Sequence, residues 1–216
     1  MIKSRNAYSE FMLVLSFNTY PLVMYELLQK KVSEIIEINE EELNFCRTLF
    51  TPRKVRKRQY LLQEGDVCRY QVFVTKGILR SYTIDEKGNE HILQFAPEGW
   101  WIADLYSFFT DEPSKYNIDA LEDAEVLLIT KTNWNLLLQD IPAFERYFRI
   151  LLQNHLISTQ RRLMESLSVS AEEKYLNFVK SYPDCLQRLP QHQIASYLGI
   201  TRETLSRIRK NLSERS

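Results

Sequence analysis

Four of the five glycines stand at Gly65, Gly77, Gly88 and Gly99, at intervals of 12, 11 and 11 residues. Between them run short stretches rich in β-branched and aromatic side chains: YQVFVT (70–75), ILRSYTI (78–84) and EHILQF (90–95). Reversals recurring at this interval between β-prone runs are the signature of an all-β sandwich or barrel. DEKGNE (85–90) is a strong hairpin turn, and YNIDAL (116–121) and AEVLLI (124–129) read as further strands. A β domain is therefore expected over about 51–130.

The period changes to helical on both sides of it. Leu27, Leu28, Val32, Ile35 and Ile36 fall at helical spacing, with Pro21 suited to the first turn of that helix. A second helix is expected after Asn39, a good N-cap, followed by Glu40, Glu41 and Glu42 where the dipole favours negative charge. It should bury Leu43, Cys46 and Leu49/Phe50 and stop before Thr51-Pro52. Helical spacing returns at Thr132. After Pro142 a long amphipathic segment carries Phe148, Leu151, Leu152, His155, Leu156, Leu163 and Leu167 on one side and runs to about Leu167 without Gly or Pro. That is more helix than one small domain covers, and such a helix pairs with its twin across a two-fold axis. SLSVSAEE (166–173) reads as a hinge followed by a capped helix, Ser170 standing three residues before Glu173.

Composition narrows the class of function less than local charge does. Lys+Arg and Asp+Glu balance at 28 each over 216 residues. From Leu186 to Ser216, however, six basic residues face two acidic ones, a net of +4. Cys46, Cys68 and Cys185 lie far apart with no C-x-x-C pair, which argues against a disulfide framework, zinc site or iron–sulfur cluster and suits a reducing compartment. His91, His155 and His192 are scattered, so no metal cluster is expected. FMLVLSF (11–17) is too short to span a bilayer and is followed by no A-x-A-like cleavage site. The expectation is a cytoplasmic protein with no membrane partner, residues 1–23 forming an N-terminal extension. The basic run RKVRKR (53–58) suits an exposed edge strand, where cations discourage pairing with other chains.

The C-terminal stretch LPQHQIASYLGITRETLSRIRKNL (189–212) carries the strongest functional signal. A helix-turn-helix needs a small residue where its helices cross and a glycine four residues later for the left-handed turn. Ala195 and Gly199 meet those needs, and Ile194, Leu198, Ile200, Leu205 and Ile208 supply the inner faces. Thr201 can cap the second helix and turn its N–H groups toward a phosphate. At about 100° per residue, Glu203, Arg207 and Lys210 point outward, flanked by Arg202 and Ser206. Arginine takes guanine bidentately and glutamate accepts from cytosine in the major groove. Ser206 and Lys210 are better placed for the sugar–phosphate backbone. The competing role of Glu203 and Arg207 is a solvated i,i+4 ion pair.

Taken in this order, a jelly-roll-like β domain, a long helix and a helix-turn-helix resemble the Crp/Fnr family of cyclic-AMP-receptor-like bacterial transcription regulators. The resemblance covers about residues 24–212 and is strongest in LLQEGD (61–66), VTKGILRSY (74–82) and ITRETLSRI (200–208). It implies an α+β chain divided into a cyclic-nucleotide-binding-like β-roll with flanking helices (24–140), a dimerisation helix (141–168) and a helix-turn-helix, winged-helix-like domain (169–216). It implies Arg202, Glu203 and Arg207 as base contacts, and Gln191 and Thr201, with Ser206 and Lys210, as phosphate contacts. The implied partners are double-stranded DNA with a palindromic site and a second copy of the chain, with RNA polymerase as a further candidate. Tyr182–Leu189 is too short for a full hairpin, so a reduced wing or none is expected.

The departures from the family bear on the effector. Its phosphate-binding cassette carries Gly-Glu and, about ten residues on, an arginine with small residues. This chain has Ala103-Asp104 and Ser114-Lys115-Tyr116 there. Lysine cannot reproduce the arginine fork, and Asp104 reads as an uncompensated negative charge. Six aromatics between Phe95 and Phe109 suggest a pocket filled by its own side chains. A degenerate site is expected, with no cofactor and either an unknown small-molecule effector or none. The four cysteines of the oxygen-sensing branch are missing. The alternative is a small-molecule-binding module whose C-terminal helices mediate protein contacts. A jelly-roll enzyme is disfavoured because no nucleophile–base pair or metal cluster is present.

Overall fold

The computed structural model describes residues 19–215, so the apolar patch at 11–17 lies outside the described residues. Helix α1 (Thr19–Ser33) includes Pro21 in its first turn, and α2 (Glu40–Leu49) begins as the sequence indicates. The Asn39 side chain accepts from the Glu42 N–H at 2.9 Å, and the Glu42 carboxylate accepts from the Asn39 N–H at 2.9 Å. This reciprocal box satisfies two N–H groups that the helix cannot pair internally. Leu43, Cys46, Leu49 and Phe50 are buried, and burial pushes the Cys46 thiol up to about 12.

The β domain consists of β1 (Thr51–Val55), β2 (Tyr60–Leu62), β3 (Tyr70–Lys76), β4 (Leu79–Ile84), β5 (Glu90–Ala96), β6 (Trp101–Ile102), β7 (Asn117–Ala120) and β8 (Ala124–Thr130). They form two four-stranded antiparallel sheets, ordered β1-β8-β3-β6 and β2-β7-β4-β5. The basic run begins on β1, an edge strand as expected. The DEKGNE turn joins β4 to β5, with Gly88 at φ 81° and Asp85 accepting from the N–H groups of Lys87 and Asn89.

The remaining helices are α3 (Leu105–Thr110), α4 (Lys131–Asp140), α5 (Ala143–Ser168), α6 (Ala171–Ser181), α7 (Gln191–Leu198) and α8 (Arg202–Arg215). Two separate apolar cores hold them. In the first, the inner faces of the sheets contribute Phe73, Leu79, Ile118 and Leu127, and the flanking helices add Leu28, Trp134 and Phe144. The second lies on the outer face of the β2-β7-β4-β5 sheet. Ile78, Tyr82, Ile92 and Phe95 there meet Phe178, Tyr182, Ile194 and Leu205 of the C-terminal helices. Strand geometry explains the division, because successive side chains point to opposite faces: Leu79 and Ala96 belong to the first core, Ile78 and Phe95 to the second.

Helix α5 changes character along its length. Phe144, Tyr147 and Phe148 at its start are buried, Phe148 lying 5.4 Å from the Trp101 ring and 3.8 Å from that of Trp134. Phe148 thus belongs to the core within one chain rather than to the outer stripe. Beyond it Leu152, Leu156, Leu163 and Leu167 are between 46% and 77% exposed, with Ile157 and Met164 beside them. An apolar row of that length left to water is the mark of an interface. If this row is an interface between two copies, replacing Leu152 and Leu156 with glutamate should convert a dimer to a folded monomer by light scattering. A mutant that stays dimeric would place the interface elsewhere.

Candidate nucleic-acid interface

The α7–turn–α8 unit is built as the sequence spacing requires. Gly199 ends α7 at φ 66° and ψ 35°, its N–H bonding back to the last turn. Ala195 is buried where the helices cross, while Ile194, Leu205 and Ile208 close the inner face. The Thr201 hydroxyl caps α8, accepting from the Thr204 N–H at 3.2 Å.

The outer face of α8 carries Arg202, Glu203, Ser206, Arg207 and Lys210, all exposed, with Thr201 and Gln191 exposed at the starts of the two helices. The Glu203 carboxylate is held below the usual carboxylate range by its own backbone N–H, then by the Thr201 hydroxyl. No ion pair among the described residues joins Glu203 to Arg207; Lys210 stands 3.9 Å from Glu214. Glu203 and Arg207 thus lie on one exposed face without pairing, and no hydrogen bond of the Arg207 guanidinium is seen among the described residues. Exposed planar donors beside an exposed acceptor are what base edges in a major groove can use. Residues 182–189 form turns and no strand.

At the other end of the roll, the two segments expected to frame an effector are bonded to each other. Asp104 is buried and caps α3: its carboxylate accepts from the Ser107 N–H at 3.1 Å and from the Ser114 hydroxyl at 2.7 Å. Two neutral donors hold this charge in place, and among the described residues no cation pairs with it. The Tyr116 hydroxyl donates to the Ala103 carbonyl at 3.1 Å, and burial, then the Asp104 charge, pushes that phenol above its usual range. Lys115, between Ser114 and Tyr116, is exposed. The aromatics do not fill this place either. Trp101 and Phe108 pack beneath the helices, Phe95 and Trp100 face the C-terminal domain, and Tyr106 is 55% exposed. Trp101, Phe108 and Phe109 instead gather on Trp134, under the helices rather than between the two segments.

What sequence reasoning missed is the docking of this unit on the roll. Phe95 lies 5.5 to 6.1 Å from the rings of Tyr197, Tyr182 and Phe178, and Trp100 stacks on Tyr182 at 5.4 Å. The Ser196 hydroxyl donates to the Glu90 carbonyl at 2.6 Å and accepts from the Ile92 N–H at 3.1 Å. Arg162 of α5 bonds the Leu93 carbonyl and sits 4.9 Å over the Tyr197 ring. The signal was present in ILRSYTI, which lacks the apolar–polar alternation of a sheet with one wet face.

The cyclic nucleotide-binding domain family model matches residues 52–140. The regulatory protein HlyX of Actinobacillus pleuropneumoniae is 29% identical over 185 residues, covering 79% of this chain and 75% of that protein. The anaerobic regulatory protein of Haemophilus influenzae is 28% identical over 185 residues, covering 79% and 70%. Among solved structures, FixK2 from Bradyrhizobium japonicum superposes with a TM-score of 0.68 at 20% identity, covering 77% of this chain and 85% of its own.

The Asp104 network gives a direct test of the closed site. Asp104→Ala removes the α3 cap and one acceptor of the Ser114 hydroxyl, which keeps the Tyr116 carbonyl at 2.9 Å, and should lower stability by about 1–2 kcal/mol. Asp104→Asn, which keeps an acceptor, should cost less. Denaturant midpoints measure both, and equal losses would mean that the carboxylate charge, not the cap, matters.

Proposed function

We propose that this chain, a member of the Crp/Fnr family of transcription regulators, binds a palindromic DNA site as a homodimer and does so without a cyclic nucleotide. The observation that carries the DNA-reading part is the outer face of α8: exposed Arg202, Glu203 and Arg207 on a helix whose inner face packs through Leu205 and Ile208. In this reading Arg202, Glu203 and Arg207 contact base edges. Gln191, Thr201, Ser206 and Lys210 hold the sugar–phosphate backbone and set the register. The domain division is 24–140 for the roll with its helices, 141–168 for the dimerisation helix and 169–216 for the DNA-binding domain. The exposed row on α5 supports dimerisation. RNA polymerase is the further protein partner of this reading, and the chain works as a non-enzymatic regulator in the cytoplasm. Among the described residues no helix is long and apolar enough to cross a membrane.

Independence from cyclic nucleotides rests on the Asp104–Ser114 and Tyr116–Ala103 bonds. A nucleotide phosphate would have to be buried beside a carboxylate that already holds the local donors, with no arginine fork to offset its desolvation. Calorimetric titration with cyclic AMP and cyclic GMP should give no saturable heat at micromolar concentrations. Micromolar affinity lost in Lys115→Ala would instead make Lys115 the phosphate ligand.

The DNA reading is tested by Arg207→Ala, which should lose about 1–3 kcal/mol of discrimination at one base position in each half-site. Binding measured on the selected site and on single-base variants checks this. Equal weakening on every sequence would assign Arg207 to phosphate.

A further inference from the structure

The docked arrangement has a polar grip as well as an apolar one. Arg188, in the turn between α6 and α7, reaches back to two carboxylates of the roll. Its Nη1 and Nη2 donate to Glu98 at 3.1 and 2.8 Å, and Nη2 and Nε donate to Glu122. Glu98 is fixed from its other side, since one of its oxygens accepts from the Gly77 N–H at 2.8 Å. Gly77 itself lies at φ 86°, and a Cβ there would fall 2.8 Å from the Asp123 carbonyl oxygen, so this donor is held by backbone that no side chain permits. Glu122 and Asp123 belong to the turn that leads into β8, and Glu98 to the turn before β6. The guanidinium therefore ties the C-terminal domain to two roll turns at one point. Ser196 ties it to the β5 edge at a second point, and Arg162 ties α5 to that same edge.

We propose that Arg188, Glu98 and Glu122 are positioning residues for DNA recognition: their clamp fixes the angle of the helix-turn-helix domain on the roll, and so the separation of the two α8 helices in the dimer. This rests on the DNA-binding, dimeric reading above. A fixed angle matters because two half-sites are engaged together only if their spacing matches that of the recognition helices. When it does, the second contact is intramolecular and multiplies affinity; when it does not, that gain is lost. The link at 169–170 alone would leave the domain free to follow several spacings, whereas a domain held on the roll by its apolar core and at two polar points follows one.

The test uses the full chain and a set of duplexes in which two copies of the selected half-site are moved apart or together by one and two base pairs. The parent protein should lose about a hundredfold or more in affinity away from the optimal spacing. Arg188→Ala should keep the base preferences of each half-site but lose no more than about tenfold across the same set. Unchanged spacing selectivity in Arg188→Ala would overturn the proposal. Loss of binding to every duplex, in a variant that remains folded, would also overturn it by making Arg188 a DNA contact. If Arg188→Ala does not fold, Arg188→Lys serves, keeping the charge but not the fork, and should still flatten the spacing profile. A second readout needs no DNA. Limited proteolysis at the 169–170 link should become several-fold faster in either variant, and an unchanged rate would contradict the clamp. Faster cleavage in a protein that binds no duplex would retain the clamp and remove the DNA reading.

Discussion

The β2-β7-β4-β5 sheet is buried on both faces, and most of the molecule follows from that. Its inner face closes the roll; its outer face is the floor on which the C-terminal helices sit. Burying the second face leaves polar groups to satisfy. Arg80, buried on that side, takes Asp119 bidentately at 2.7 and 3.0 Å, also pairs with Glu90 and lies 4.0 Å over the Tyr82 ring. Burial works against its charge, but the two carboxylates hold the guanidinium above its ordinary value. The outer edge of β5 would otherwise present unpaired backbone, the usual liability of an edge strand. Ser196 takes the Glu90 carbonyl and the Ile92 N–H, and Arg162 takes the Leu93 carbonyl. One strand edge is thus where the roll, the long helix and the helix-turn-helix unit meet.

The opposite end of the roll is closed by short-range chemistry. In Ala103-Asp104 and Ser114-Lys115-Tyr116, the Asp104 carboxylate and the Ser114 and Tyr116 hydroxyls are hydrogen-bonded within the chain. An acidic side chain stands at the start of α3 and takes the N–H of Ser107. The fold of a nucleotide-binding roll is therefore retained while its polar groups at this position bind one another. A family fold does not by itself carry the family's ligand.

Much of this was legible in the sequence where local rules are strong. The 11- and 12-residue glycine intervals set the sheet boundaries, Asn39 and Ser170 marked helix starts, and Ala195 with Gly199 located the crossing of the two C-terminal helices. Less legible was anything decided by which face a strand residue takes. Asp104 read as a bare charge because its donors, Ser107 and Ser114, lie on different segments. The aromatics of 95–109 read as one cluster, although the pleat sends Trp100 and Trp101 to different cores. Arg188 gave no signal at all, since its partners Glu98 and Glu122 are 90 and 66 residues away.

With the Asp104, Ser114 and Tyr116 side chains bonded within the roll and the DNA-reading helix held at a fixed angle, the protein should need no small molecule to find its site. Selecting sites from a random duplex pool with the nucleotide-free protein tests this most directly. The expected result is one short motif repeated as an inverted pair, the half-sites about one helical turn apart, with binding that weakens steeply as salt rises. Enrichment of no motif, or of one only after a cyclic nucleotide is added, would contradict it.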